Sequence, residues 1–178
     1  MSRIGKQNLT LPNGVSMDIN NNVIVIKGPK GEIKKEFNNN IVKVEIKDNI
    51  ISSSISRNDN VAKSLWGTTM SHIENMINGV QNNFEKKLVI EGVGFKWDVK
   101  GDKLQLNVGF SHPVFLNIPK DVSVNIEKDK LTILGIDKEA VSLFAMQIKK
   151  IKPVEPYKGK GIRYMGQNVI RKQGKKSS

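Results

Sequence analysis

Val15, Met17 and Ile19 alternate with polar neighbours, the period of two expected of a half-buried strand. Val23–Ile26 then runs into Gly28-Pro29-Lys30-Gly31, a turn sequence, before a further strand over Glu32–Phe37. Asn38-Asn39-Asn40 breaks the pattern ahead of a pair, Ile41–Ile46 and Ile50–Ile55, joined at Lys47-Asp48-Asn49. After Asn58-Asp59-Asn60, which offers N-cap side chains, the period changes to 3.6. Val61, Leu65, Ile73, Met76, Ile77 and Val80 fall on one helical face, and Gly79 marks the expected exit.

The second half follows the same plan. Lys87–Val93, Phe95–Lys100 and Leu104–Phe110 predict a meander turning at Gly101-Asp102, and Pro113–Ile118, Val122–Ile126 and Leu131–Leu134 add strands. A helix is expected from about Asp137, with Val141, Phe144, Ile148 and Ile151 on one face, ending before Pro153. Three short matches suggest an internal repeat: Leu11–Ile19 with Ile118–Ile126, Ala62–Trp66 with Ala140–Phe144, and Gly92–Trp97 with Gly159–Tyr164. The expectation is an α+β protein of two tandem similar domains, 1–82 and 83–178, each an antiparallel sheet covered on one face by a helix.

Charge changes the picture. Of 178 residues, Lys and Arg exceed Asp and Glu by 12. Residues 149–178 hold 10 Lys and Arg against one acid, Glu155, whereas residues 1–148 hold 19 against 16. Three quarters of the excess thus sits in the last 30 residues. Clustered like charges repel, so their use is attraction to a polyanion: nucleic acid or an anionic membrane. A membrane-surface role calls for an amphipathic helix with a basic polar face, and here Pro and Gly interrupt the basic stretch. No apolar run approaches the ~20 residues of a membrane span, and no signal or transit segment is read at the N-terminus.

Catalysis finds little support. There is no Cys, and the two His residues, His72 and His112, stand 40 apart without metal-ligand or triad companions. Both read as surface or packed residues, as Trp66 and Met70 read as packing. The glycine-rich pieces match neither a P-loop nor a dinucleotide fingerprint. No catalytic residue, metal site or cofactor is expected.

The segment Lys149-Lys-Ile-Lys-Pro-Val-Glu-Pro-Tyr-Lys-Gly-Lys-Gly-Ile-Arg-Tyr164 stands out. Pro153 and Pro156 bias it toward extended backbone, which places Lys158 and Lys160 on one side. Gly159 and Gly161 would let a phosphate backbone approach the main-chain amides. Arg163 offers a forked donor for phosphate or guanine. Tyr157 and Tyr164 offer rings for stacking, with Tyr164 equally readable as core. Lys149, Lys152, Arg171, Lys172, Lys175 and Lys176 complete the candidate RNA-binding set, and Arg171–Ser178 lacks apolar periodicity and is expected to order on a polyanion.

Pro156-Tyr-Lys-Gly-Lys-Gly-Ile-Arg-Tyr164 resembles the signature of the bacterial-type large-subunit ribosomal protein L6 family. Ser2-Arg-Ile-Gly-Lys6, Lys27-Gly-Pro-Lys-Gly31, Trp66-Gly-Thr-Thr-Met70, Asn75–Val80 and Gly92-Val-Gly-Phe95 are similar to other parts of that family, in order along nearly the whole chain. The chain departs from the family pattern at Val154, usually Pro or Ser, and at Trp66, where a smaller or polar residue is common. The resemblance implies a non-catalytic, cytoplasmic protein of the large ribosomal subunit. It would bind 23S rRNA near the stalk base and the sarcin–ricin loop, beside neighbouring large-subunit proteins and the docking surface of translational GTPases. An RNA-processing or RNA-modifying enzyme using the same basic surface is the alternative.

Overall fold

The computed structural model describes residues 4–174. Six strands precede the first helix: β1 (Leu9–Thr10), β2 (Ser16–Asn20), β3 (Val23–Gly28), β4 (Gly31–Glu36), β5 (Val42–Lys47) and β6 (Ile50–Ile55). They form two antiparallel sheets, ordered β2-β3-β4 and β1-β6-β5. The β5–β6 hairpin turns through Asp48 and Asn49 with φ of 49° and 62°. Two successive left-handed residues are what a tight type I′ hairpin requires, and short polar side chains tolerate them.

Helix α1 (Asn60–Gln81) starts where the asparagine-rich segment predicts: the Asp59 carboxylate accepts the Ala62 N–H at 2.9 Å. Its buried stripe is Ala62, Trp66, Met70, Ile73, Met76, Ile77 and Val80. Val61, expected on that face, is 61% exposed, because the seam runs through Ala62 and continues at intervals of three and four. Gly79 does not end the helix either. It is buried inside the last turn, and the Val80 carbonyl beyond it accepts the Lys30 N–H at 3.0 Å. The stripe packs on Val15, Met17, Ile24, Ile26, Val42 and Ile51, so one helix closes over both sheets. Trp66 serves this packing: its Nε1–H donates to Ser53 Oγ (2.7 Å), and Ser53 Oγ donates to the Gly5 carbonyl (3.2 Å).

Only Asn82 and Asn83 separate α1 from the second set: β7 (Phe84–Glu91), β8 (Lys96–Lys100), β9 (Lys103–Asn107), β10 (Val114–Asn117), β11 (Val122–Glu127), β12 (Lys130–Gly135), α2 (Lys138–Ile151) and β13 (Gly161–Tyr164). The sheets are ordered β10-β9-β8 and β11-β12-β7-β13. The expected meander of Lys87–Val93 with the two strands after it is therefore incorrect. β7 lies between β12 and β13, its Leu88 and Ile90 buried, and Gly92-Val93-Gly94 carries the chain into the other sheet. α2 buries Val141, Phe144, Ala145 and Ile148 against Leu88, Ile90, Leu131, Ile133 and Ile162. Lys149 and Lys150 in its last turn complement the helix dipole.

Contacts divide the chain into two units, residues up to Asn83 with Ile136–Lys138, and Phe84–Gly135 with residues from Glu139 on. The class is α+β, with two sheets and a helix in each unit rather than one sheet. The repeat is present, but its internal alignment differs from the sequence match. By topology β1-β6-β5 corresponds to β7-β12-β11, β2-β3-β4 to β8-β9-β10, and α1 to α2. The match of Leu11–Ile19 to Ile118–Ile126 sets β2 on β11, three strands out. What those segments share is a turn: Val15 N–H donates to the Pro12 carbonyl (3.2 Å) and Val122 N–H to the Pro119 carbonyl (3.1 Å). The match of Gly92–Trp97 to Gly159–Tyr164 falls wholly inside the second unit, between two glycine-rich entries into strands. Only the pairing of Ala62–Trp66 with Ala140–Phe144 joins equivalent elements.

Candidate nucleic-acid interface

After α2 the chain returns to the outer edge of the four-stranded sheet, because Ile162 supplies a fully buried side chain opposite Ile90. The return is strand-like only at Pro153, which bridges to Ile162, and then turns. Ile162 N–H donates to the Lys152 carbonyl, Glu155 N–H to the Lys160 carbonyl (both 2.8 Å) and Gly159 N–H to the Glu155 carbonyl (3.0 Å). Residues 155–160 thus form a closed loop, and the one-sided extended placement expected for Lys158 and Lys160 gives way to a turn. Tyr157, 55% exposed, and Lys158 face solvent from it, while Lys160 is half-buried.

The glycines are spent internally. A Cβ on Gly161 would lie 2.6 Å from the Pro153 carbonyl oxygen, and one on Gly159 would lie 2.9 Å from Arg171 Nε. The space expected for an approaching phosphate holds the protein's own backbone and a guanidinium. Lys172 N–H donates to the Pro156 carbonyl (2.8 Å), so the segment after β13 folds back along the loop. Arg171 and Lys172 are exposed there. Lys175 and Lys176 lie outside the described residues.

Arg163 is also committed. Its Nη2 pairs with Glu91 and its Nη1 donates to the Gln167 carbonyl at 3.1 Å. The fork expected to read phosphate or guanine instead ties β13 to β7 and the turn beyond. Tyr164 is half-buried against the core, with Lys149 Nζ 4.7 Å from its ring centroid. Lys152 Nζ sits 5.0 Å from the ring centroid of Phe110, itself 50% exposed. Elsewhere His72 Nδ1 lies 3.1 Å from Lys35 Nζ, and His112 is exposed. Among the described residues no group of three or more His, Cys, Asp or Glu is arranged to hold a metal, and no helix is long and apolar enough to cross a membrane.

A basic, aromatic-flanked loop braced by two glycines is the signature segment seen in the sequence. The family model described as Ribosomal protein L6 matches residues 11–83 and 91–165, one match in each unit. The chain belongs to the ribosomal protein L6 family. It is 44% identical over 177 residues to the large ribosomal subunit protein uL6 of Halothermothrix orenii, covering 98% of this chain and 99% of the relative. It is 45% identical over 176 residues to the protein of that name from Listeria monocytogenes, covering 98% of each. The corresponding protein of Halalkalibacterium halodurans is 44% identical over 176 residues, again with 98% of each covered.

In this L6 chain three contributors to the basic surface escape a reading confined to the C-terminal segment. Glu91 holds Arg163, Phe110 lies under Lys152, and Lys86 Nζ lies 5.9 Å from the Tyr164 ring centroid. Lys86 follows Glu85 and precedes Lys87 and so resembles an ordinary wet strand face. Its parity with Leu88 and Ile90 is the one sequence signal that would place it on the helix side of the sheet.

Proposed function

We propose that this protein is a non-catalytic structural constituent of the large ribosomal subunit that binds 23S rRNA through the C-terminal part of its second unit. The observation that carries this reading is a run of cations without anionic partners. Lys149, Lys152, Lys158, Lys160, Arg171 and Lys172 share one segment with a single acid, and among the described residues none is ion-paired with a carboxylate. Such charges bind phosphates by displacing condensed counterions. Tyr157 adds an exposed ring for base or sugar, and Gly159, Gly161, Arg163 and Tyr164 fix the loop's shape. Family membership supports placement near the stalk base and sarcin–ricin loop. There the protein neutralises phosphate where RNA helices approach, beside other large-subunit proteins, and keeps the docking surface of translational GTPases in shape. It works in the cytoplasm, without cofactor or turnover.

Deleting residues 149–178 would remove Ile162 from the core, so the test replaces charge alone. A variant with Lys158, Lys160, Arg171 and Lys172 all changed to Gln is compared with wild type in filter binding to 23S rRNA between 50 and 200 mM KCl. Six phosphate contacts predict roughly a 10³-fold loss of wild-type affinity over that range, and the variant's log–log slope should be shallower by about 3. An unchanged slope would overturn the assignment.

A further inference from the structure

We infer that Lys86, Lys149 and Tyr164 form a discrete phosphate-binding site on the helix-covered side of the sheet edge, occupied by one backbone phosphate of the bound RNA. The inference rests on the RNA-binding reading above and assigns it a contact from a strand far away in sequence. β7 and β13 are antiparallel with Tyr164 opposite Leu88. Two residues earlier on the same face of β7 stands Lys86, where the apolar run Leu88–Ile90 has ended. α2 delivers Lys149 immediately after the buried Ile148. Three elements therefore converge, and two ammonium groups sit 4.7 and 5.9 Å from one ring centroid.

Two like charges beside one ring repel, and the negative face of the half-buried Tyr164 offsets only part of that. Folding alone would favour a carboxylate here, and among the described residues neither Lys86 nor Lys149 is ion-paired with one. Glu85, the nearest acid on β7, is bound to Lys87 at 3.1 Å, so the pair contributes no net charge. Glu85, Lys86, Lys87, Tyr164 and Met165 line a shallow hollow open to solvent at the sheet's outer strand. A phosphodiester bound at this edge would neutralise the two cations that share the Tyr164 ring, Lys86 from the lining of the hollow and Lys149 from α2. The site stands on a strand and a helix, whereas Lys158 and Lys160 stand on the hydrogen-bonded loop.

The test uses the full chain and 23S rRNA. Lys86→Gln should reduce the salt slope by about 0.7–0.9 and weaken binding at 0.1 M salt about fivefold, and Lys86→Arg should restore both. Amine-reactive labelling of Lys86 and Lys149 in wild type should be blocked by the RNA. The site is refuted if Lys86→Gln leaves the slope unchanged, or Lys86 labels equally with and without RNA, while the loop variant binds with a shallower slope. That result would leave the RNA-binding reading standing. Absence of salt-dependent binding in wild type would remove both.

Discussion

Gly161 joins the fold to the candidate interface, and replacing it with Ala separates the two roles. Its φ of 138° is open to glycine and strained for alanine, at a cost of about 1–3 kcal/mol. The new methyl would also meet the Pro153 carbonyl oxygen at 2.6 Å and Val154 Cα at 2.8 Å, both backbone atoms of the strand-like approach. Relieving that overlap pushes apart the Pro153–Ile162 bridge and endangers the bonds from Ile162 N–H to Lys152 and from Glu155 N–H to Lys160. Each is worth about 1 kcal/mol. The expected total is about 2–5 kcal/mol, all of it in the second unit. Gly101→Ala is the control. That residue has a φ of 59° in the β8–β9 turn and nothing within 4 Å of its Cβ position, so only backbone strain of about 1–2 kcal/mol applies.

The two tryptophans allow the units to be read apart. In a Trp66→Phe background, urea unfolding followed by fluorescence reports Trp97 and hence the second unit. With a slope of about 1–2 kcal/mol per molar urea, Gly161→Ala should lower the midpoint by at least about 1 M, and by more than Gly101→Ala does. Equal shifts would show that the contact with Pro153 costs nothing, and the account of the loop's bracing would be wrong. Under conditions where the variant remains folded, its affinity for 23S rRNA should fall although no charge has changed, because Lys158 and Lys160 lose their fixed placement.

Two further outcomes are expected in the first unit. Ser53→Ala leaves the Trp66 indole N–H without its acceptor in a buried position, which should cost about 1–3 kcal/mol. Thermal unfolding followed by Trp66 fluorescence in a Trp97→Phe background measures it, and an unchanged Tm would count against that bond. Glu32 is held below the ordinary glutamate value of 4.5 by its hydrogen bond to Lys34, with the charges of Lys34 and Lys27 adding. Its lowered value means the interaction stabilises the β3–β4 hairpin above pH 4.5 and fades as pH falls through the folded-state value. An NMR titration of the carboxyl placing it at or above 4.5 would contradict this.

Elements were legible where a local rule decides them. Asp59 caps α1, Asp48-Asn49 makes a two-residue turn, and Pro153 follows the end of α2, because each depends on residues within a turn of one another. Sheet membership was not legible. β7 reads as the first strand of a meander since the alternation of Leu88 and Ile90 is the same in any sheet. Its position is set by non-local pairing with Leu131 and Ile162 on either side. Turn chemistry also imitated ancestry: the Pro12 and Pro119 turns put similar residues in non-equivalent strands.

The same distinction governs the interface. Composition located the charge in the C-terminal segment, because net charge requires no folded partner to be counted. It did not tell which cations remain available. Arg163 has the chemistry most suited to phosphate, yet Glu91 occupies it, 72 residues away in sequence. Lys86 looks like a solvated strand residue, yet antiparallel pairing carries it to Lys149 and Tyr164. A basic segment therefore marks a candidate region for a polyanion. The carboxylates that reach it through the fold decide which side chains stay available: Glu91 takes Arg163 out of the proposed contact set, and the register of β7 against β13 brings Lys86 into it.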